Sequence, residues 1–125
     1  MKKYITLKNL GWMLIALVTI MLGMSGVSKV MGTEEMVQNF TFTNLLPYLQ
    51  LVGISELIGV GLLIYPVTSK YGALLLSSIM AGAVVVHLSF MNGDGVMIPI
   101  LLGLFAWSGH CLRDYSSEIK AILKK

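Results

Sequence analysis

The chain has 125 residues, 56% of them hydrophobic and only 12% charged. That is far more apolar side chain than a soluble domain of this size can bury, which excludes a water-soluble helical bundle. The net charge of +3 sits in clusters at the ends of apolar runs rather than along one face, so nucleic acid is not expected as a partner. Cys111 is the single cysteine, so neither an intramolecular disulfide nor CxxC chemistry is available.

Four apolar segments reach or approach the roughly 20 residues needed to cross a hydrocarbon core: 10–30, 45–65, 71–90 and 96–112. Barrel strands would alternate apolar and polar residues, and these runs do not. The expectation is one integral membrane domain over 1–125: an all-α, four-transmembrane-helix bundle running up-down-up-down. Lys2, Lys3 and Lys8 precede the first span, Lys70 lies between the second and third, and Arg113, Lys120, Lys124 and Lys125 follow the fourth. Glu34, Glu35 and Asp94 fall on the opposite side, so the positive-inside rule places both termini in the cytoplasm. The basic ends read as topology anchors that also meet anionic lipid heads.

The first apolar run is too long for an ordinary signal-peptide core and has no A-x-A site, so it is read as a span, with Trp12 near the cytoplasmic interface. It ends in SGVSKVMG, where helical spacing puts Ser25, Ser28 and Lys29 on one face. Lys29 has two readings: its ammonium snorkels to the outer headgroups, or it turns inward to line the mouth of a polar cavity. Next, Thr33 can cap a short helix with Glu34 and Glu35 in its first turn and an apolar face of Met36, Val37 and Phe40. Surface-lying is the expected placement of this helix, and a lid over the bundle is the alternative.

The second span opens near Asn44, with Pro47 in its first turn. Gln50, Gly53 and Glu56 follow at i+3 spacing and form a stripe within roughly a 120° arc. Glu56 lies about 16 Å below Leu45, near mid-bilayer, where a carboxyl group costs roughly 2.5–3.5 kcal/mol unless it is buried in protein, paired or protonated. Pro66 then stops the helix in a tight hairpin, and Thr68 or Ser69 can cap the third span. That span carries His87 near its outer end, an interfacial hydrogen-bonding residue or a ligand contact. By depth, His87 and Glu56 differ by roughly 11 Å, so direct contact is not expected. His110 should lie at the opposite membrane face, which leaves no metal site. Asn92-Gly93 and Asp94-Gly95 make the last external loop, and Trp107 with Arg113 marks the cytoplasmic end of the fourth span.

The end of the first span (SGVSKVMG), the segment ELIGVGLLIYPVTSKYGALLL and a histidine late in the third span together resemble the DoxX family of small four-helix bacterial membrane proteins. The resemblance implies a prokaryotic cytoplasmic (inner) membrane protein and points to Lys29, Glu56 and His87. It further implies an accessory or scaffold role near redox or sulfur chemistry or the oxidative-stress response. The chain shows no nucleophile–base pair, paired carboxylates, phosphate loop or HExxH, so it is not expected to be an enzyme on its own. Any electron chemistry would need a bound quinone or a redox partner protein. Two alternatives stand beside the scaffold reading: Lys29, Gln50, Glu56 and His87 lining a pocket, open to the outer side, for a small amphipathic molecule such as a quinone, and Glu56 carrying protons in a transporter. Besides membrane lipids, a redox partner and a homo-oligomer remain open as partners.

Overall fold

In the computed structural model, which describes residues 6–124, helix formation starts at Thr6, whose hydroxyl accepts from the Asn9 N–H at 3.0 Å. This N-cap satisfies one of the donors that a helix start leaves without a partner. Helix α1 (Leu7–Met31) then runs to Gly32, which takes the left-handed conformation at φ 69° and closes the last turn onto the Ser28 and Lys29 carbonyls. Lys2, Lys3 and Lys125 of the charge pattern lie outside the described residues.

Helix α2 (Glu34–Phe42) follows, then a short 3-10 turn at Leu46–Tyr48 and α3 (Leu49–Ile64). Pro47 therefore sits in a 3-10 lead-in rather than in the first α-helical turn. After the Pro66 hairpin come α4 (Ser69–Phe90), α5 (Met97–Asp114) and the short α6 (Ser116–Leu123). In the hairpin Thr68 does not cap α4 with its side chain. Proline at 66 has no N–H to give the Leu62 carbonyl, and the Thr68 hydroxyl donates to that carbonyl instead, at 2.8 Å.

The four long helices pack in a ring, α1 against α3 and α5, and α4 against α3 and α5. Their contacts pair the end of each helix with the start of its neighbour, so neighbours run antiparallel: Gln50 meets Val30 and Lys29 meets Glu56 between α3 and α1, while Gly11 meets Arg113 between α1 and α5. The buried core is narrow, with Ile15, Val18 and Leu22 of α1, Leu63 of α3, Leu76 of α4 and Ala106 of α5 at its centre. Large apolar side chains face outward instead, among them Ile20, Met24, Leu51, Val85 and Leu104. Helices apolar all round, with as much hydrophobic surface outside as inside, are built for lipid.

Three helical stretches are long and apolar enough to cross a membrane: Leu7–Met31, Leu46–Ile64 and Ser69–Phe90. The fourth expected span is not among them. α5 has 18 residues, but its last turns hold His110, Arg113 and Asp114, and these lower its apolarity. Trp107 also differs from expectation. Rather than marking an interface, its indole N–H donates to the Ser77 hydroxyl at 2.9 Å and ties α5 to α4.

Glycine sets how closely the helices approach at two corners of the ring. A Cβ at Gly11 would enter the backbone of Gly109 and Arg113, and one at Gly72 would enter the backbone of Gly59 and Leu63. Gly23, in the same helix as Gly11, has nothing within 4 Å of such a Cβ. Gly11→Ala should therefore destabilise the protein by about 1–3 kcal/mol through overpacking, whereas Gly23→Ala should be neutral or stabilise by up to ~1 kcal/mol. Thermal unfolding of both variants in the same detergent checks this ordering.

Candidate functional site

Glu56 has its partner in the first helix. Gly26 and Gly53 let α1 and α3 approach so closely that a Cβ on Gly53 would stand 2.8 Å from both the Gly26 carbonyl and the Lys29 Cβ. At that spacing the Lys29 ammonium reaches both carboxylate oxygens, 3.1 Å to Oε1 and 3.0 Å to Oε2. It also donates to the Ser25 hydroxyl one turn earlier. Lys29 is 8% exposed and Glu56 2%, so the carboxylate is closed off from its surroundings and Lys29 keeps only a small accessible surface. Between the two readings of Lys29, the structure has the inward one.

Gln50, first in the stripe with Gly53 and Glu56, points elsewhere. Its amide donates to the Val30 carbonyl at 3.3 Å and serves the end of α1, where the last carbonyls have no intrahelical donor. His87, half-buried on α4, has its Nδ1 2.7 Å from the Ala83 carbonyl. A carbonyl only accepts, so the proton is on Nδ1 and Nε2 is the free ring nitrogen.

Lys29 and His87 line one cavity of about 350 Å³, between the end of α1, the start of α3 and the C-terminal half of α4. Met36 and Phe40 of α2 close it on one side, and Val52 and Val86 form apolar walls. The Lys29 ammonium stands 5.9 Å from the centroid of the Phe40 ring, within reach of a cation–π attraction. α2 therefore does not lie apart on a surface: Met36, Val37 and Phe40 are half-buried against the bundle, and α2 covers the cavity. Of the four residues singled out in the sequence, two face the cavity, Glu56 is the counter-ion behind Lys29, and Gln50 caps α1. Glu56 and His87 are not brought into contact. Asn39 and Thr43, absent from the sequence reading, also line the cavity. Their only signal there was membership of the helix carrying Phe40.

The opposite end of the ring holds a second polar cluster that sequence reasoning reduced to a topology anchor. Arg113 is 2% exposed. It donates to the last carbonyls of α3, 3.0 Å to Leu63 and 2.7 Å to Ile64, and grips Asp114 through Nε at 2.7 Å and Nη2 at 3.0 Å. The Trp12 ring lies 4.6 Å from its guanidinium carbon. His110 Nδ1 lies 2.9 Å from Asp114 Oδ2 and 2.8 Å from the Ser69 hydroxyl. The signal in the sequence was His110 and Asp114 at i, i+4 beside Arg113, which reads as a local pair. The long-range hydrogen bonds to α3 were invisible.

Two measurements follow from these clusters. Removing one member of a buried ion pair leaves the other charge unmatched and costs about 3–5 kcal/mol, while replacing both with apolar residues of similar volume is close to neutral. Lys29→Met and Glu56→Leu should each lower stability by about that amount, and the double variant should regain most of it, as read by detergent unfolding curves in a double-mutant cycle.

At the other end, burial works to raise the Asp114 pKa, but the Arg113 hydrogen bonds and charge, with hydrogen bonds from His110 and Ser69, outweigh it. They hold the carboxyl below its ordinary 3.8. A lowered folded-state pKa contributes stability that is fully present above the unfolded value, about pH 4, and is lost as pH falls through the folded value. The melting temperature should therefore fall below about pH 4, and Asp114→Asn should remove that part of the acid sensitivity.

The family model described as the DoxX-like family matches residues 13–109. That match takes in both members of the Lys29–Glu56 pair, the whole cavity and His87. No curated protein and no solved structure matches the chain.

Proposed function

The chain belongs to the DoxX-like family, and from that membership together with the walled cavity at the Lys29 end we propose that it binds a small amphipathic molecule, such as a quinone, within the membrane. The observation that carries this reading is the chemistry of the cavity wall. Its lining is mostly apolar, from Met36, Phe40, Val52 and Val86, with one ammonium and one imidazole placed within it. Ligand sites commonly combine an apolar lining with a few convergent polar groups that fix orientation. His87 Nε2, the ring nitrogen without a proton, can accept from a hydroxyl of the reduced, quinol form while ring and tail contact the apolar wall. Lys29, its three donors taken by Glu56 and Ser25, contributes positive charge beside it. Glu56, matched by Lys29 at 3.0 Å and lying behind it, is better suited to hold that ammonium in place than to carry protons.

The reading includes four spans. α5 runs antiparallel between α1 and α4, both long and apolar enough to cross a membrane, and its 18 residues give it about 27 Å of length. A helix flanked by two spans along its length has the bilayer as its surroundings. Its polar end is compatible with that placement because Arg113 and Asp114 satisfy one another and the end of α3. Lys8, Lys70, Lys120 and Lys124 gather at the end of the ring opposite Glu34, Glu35 and Asp94, a distribution that supports the reading of both termini in the cytoplasm and the cavity toward the outer side. An accessory role beside a redox protein, in a prokaryotic inner membrane, fits the same site: the cavity would present a bound quinone to a partner that supplies the electron chemistry.

A panel of short-chain benzoquinones and naphthoquinones tests this in mild detergent. A fitting quinone at a hundred times its Kd should stabilise the protein by about 2.7 kcal/mol. His87→Ala and Phe40→Ala, which leave the buried ion pair intact, should weaken that protection. Unchanged melting across the panel, or equal protection of both variants, would count against the cavity as a quinone site.

A further inference from the structure

A second recess, of about 640 Å³, opens at the opposite end of the ring, where the starts of α1 and α4 meet the end of α5. Lys8 and Lys70 stand on its rim with Trp12, Tyr71 and Tyr115. We propose that this recess binds the phosphate headgroup of an anionic phospholipid from the adjoining leaflet.

The charge balance at the site supports an anion. Arg113 lies in the wall, but Asp114 neutralises it through two hydrogen bonds, and neither group has charge to spare. Lys8 and Lys70 are exposed, and no ion pair among the described residues involves either. Among the described residues, the rim therefore carries two positive charges without a counter-ion. Depth selects a lipid as the source of the anion. α1 and α4 are each long enough to cross the hydrocarbon core, so their first residues stand at a membrane face, where phosphodiesters are the concentrated anion. Basic recesses between transmembrane helices at headgroup level hold anionic lipids for this reason.

The rim is also shaped for a molecule that is part phosphate and part glycerol ester. Trp12, Tyr71 and Tyr115 are 41%, 63% and 45% exposed. Such rings favour the headgroup zone, where one edge meets water and the other meets acyl chain. Pro66 and Val67 add an apolar lip, with Val67 91% exposed and free to rest on the acyl esters. This site is separate from the Lys29 cavity and does not depend on what that cavity binds.

Native mass spectrometry of the full chain, released from micelles doped with equal amounts of phosphatidylglycerol and phosphatidylcholine of the same acyl chains, tests the assignment. The expected result is preferential retention of one phosphatidylglycerol. The double variant Lys8→Gln with Lys70→Gln should lose that preference by roughly tenfold or more, and Lys124→Gln, at the exposed residue just after α6, should keep it. Equal retention of the two lipids would overturn the proposal. So would a preference for phosphatidylglycerol that survives the double variant. In a parallel arm, inorganic phosphate should leave the melting temperature unchanged where phosphatidylglycerol raises it. Stabilisation by phosphate alone, lost in the double variant, would make this a free-phosphate site and overturn the lipid assignment.

Discussion

A carboxylate in a lipid-facing protein has no water to turn to, and the Lys29–Glu56 pair is how this chain meets that constraint. The pair crosses from α1 to α3, and it sits beside the closest approach of the two helices. Its geometry, two oxygens on one ammonium with the Ser25 hydroxyl beside it, leaves neither ion unmatched. A buried ion pair gives little net stability compared with an apolar replacement. Its value here lies in register, since only one sliding position of α1 against α3 brings the two groups together. The same pairing holds Lys29 at the wall of the cavity.

The opposite end solves a related problem with backbone instead of side chain. α3 ends at Ile64, ahead of a proline that donates nothing, so its final carbonyls need outside donors. Thr68 serves one from within the hairpin, and Arg113 serves two from α5. The guanidinium is held for this task by Asp114 and covered by Trp12. A cation that would be costly if buried without partners is thus turned into a brace joining α1, α3 and α5.

Much of this architecture was legible in the sequence because its causes are local. Apolar run lengths marked the long helices to within a few residues, Pro66 marked the hairpin, and Gly32 with Thr33 marked the break before α2. That Glu56 and His87 would not pair was legible from simple rise per residue, and each has its partner elsewhere. The identity of the Glu56 partner was not, because it depends on the sliding register of two helices. That register is set by Gly26 meeting Gly53, a contact that small-residue spacing suggests but cannot assign to a particular neighbour. Arg113 was misread for a related reason: a basic residue after an apolar run has the same sequence signature whether it faces headgroups or reaches across to another helix. α2 was placed on the surface since its short apolar face fits a membrane as well as it fits a bundle.

The Arg113 brace also bears on how the fold is assembled. α5 is the last of the four long helices in chain order, so until it packs, the Leu63 and Ile64 carbonyls lack the Arg113 donors that meet them in the finished fold. It is also the helix that closes the ring between α4 and α1. Its packing brings the guanidinium to the end of α3 and seats Gly109 against Gly11. The Lys29–Glu56 pair, by contrast, can form once the first two long helices are in place. The ion pair thus needs only the first two long helices, whereas the brace at the other end needs the last of them.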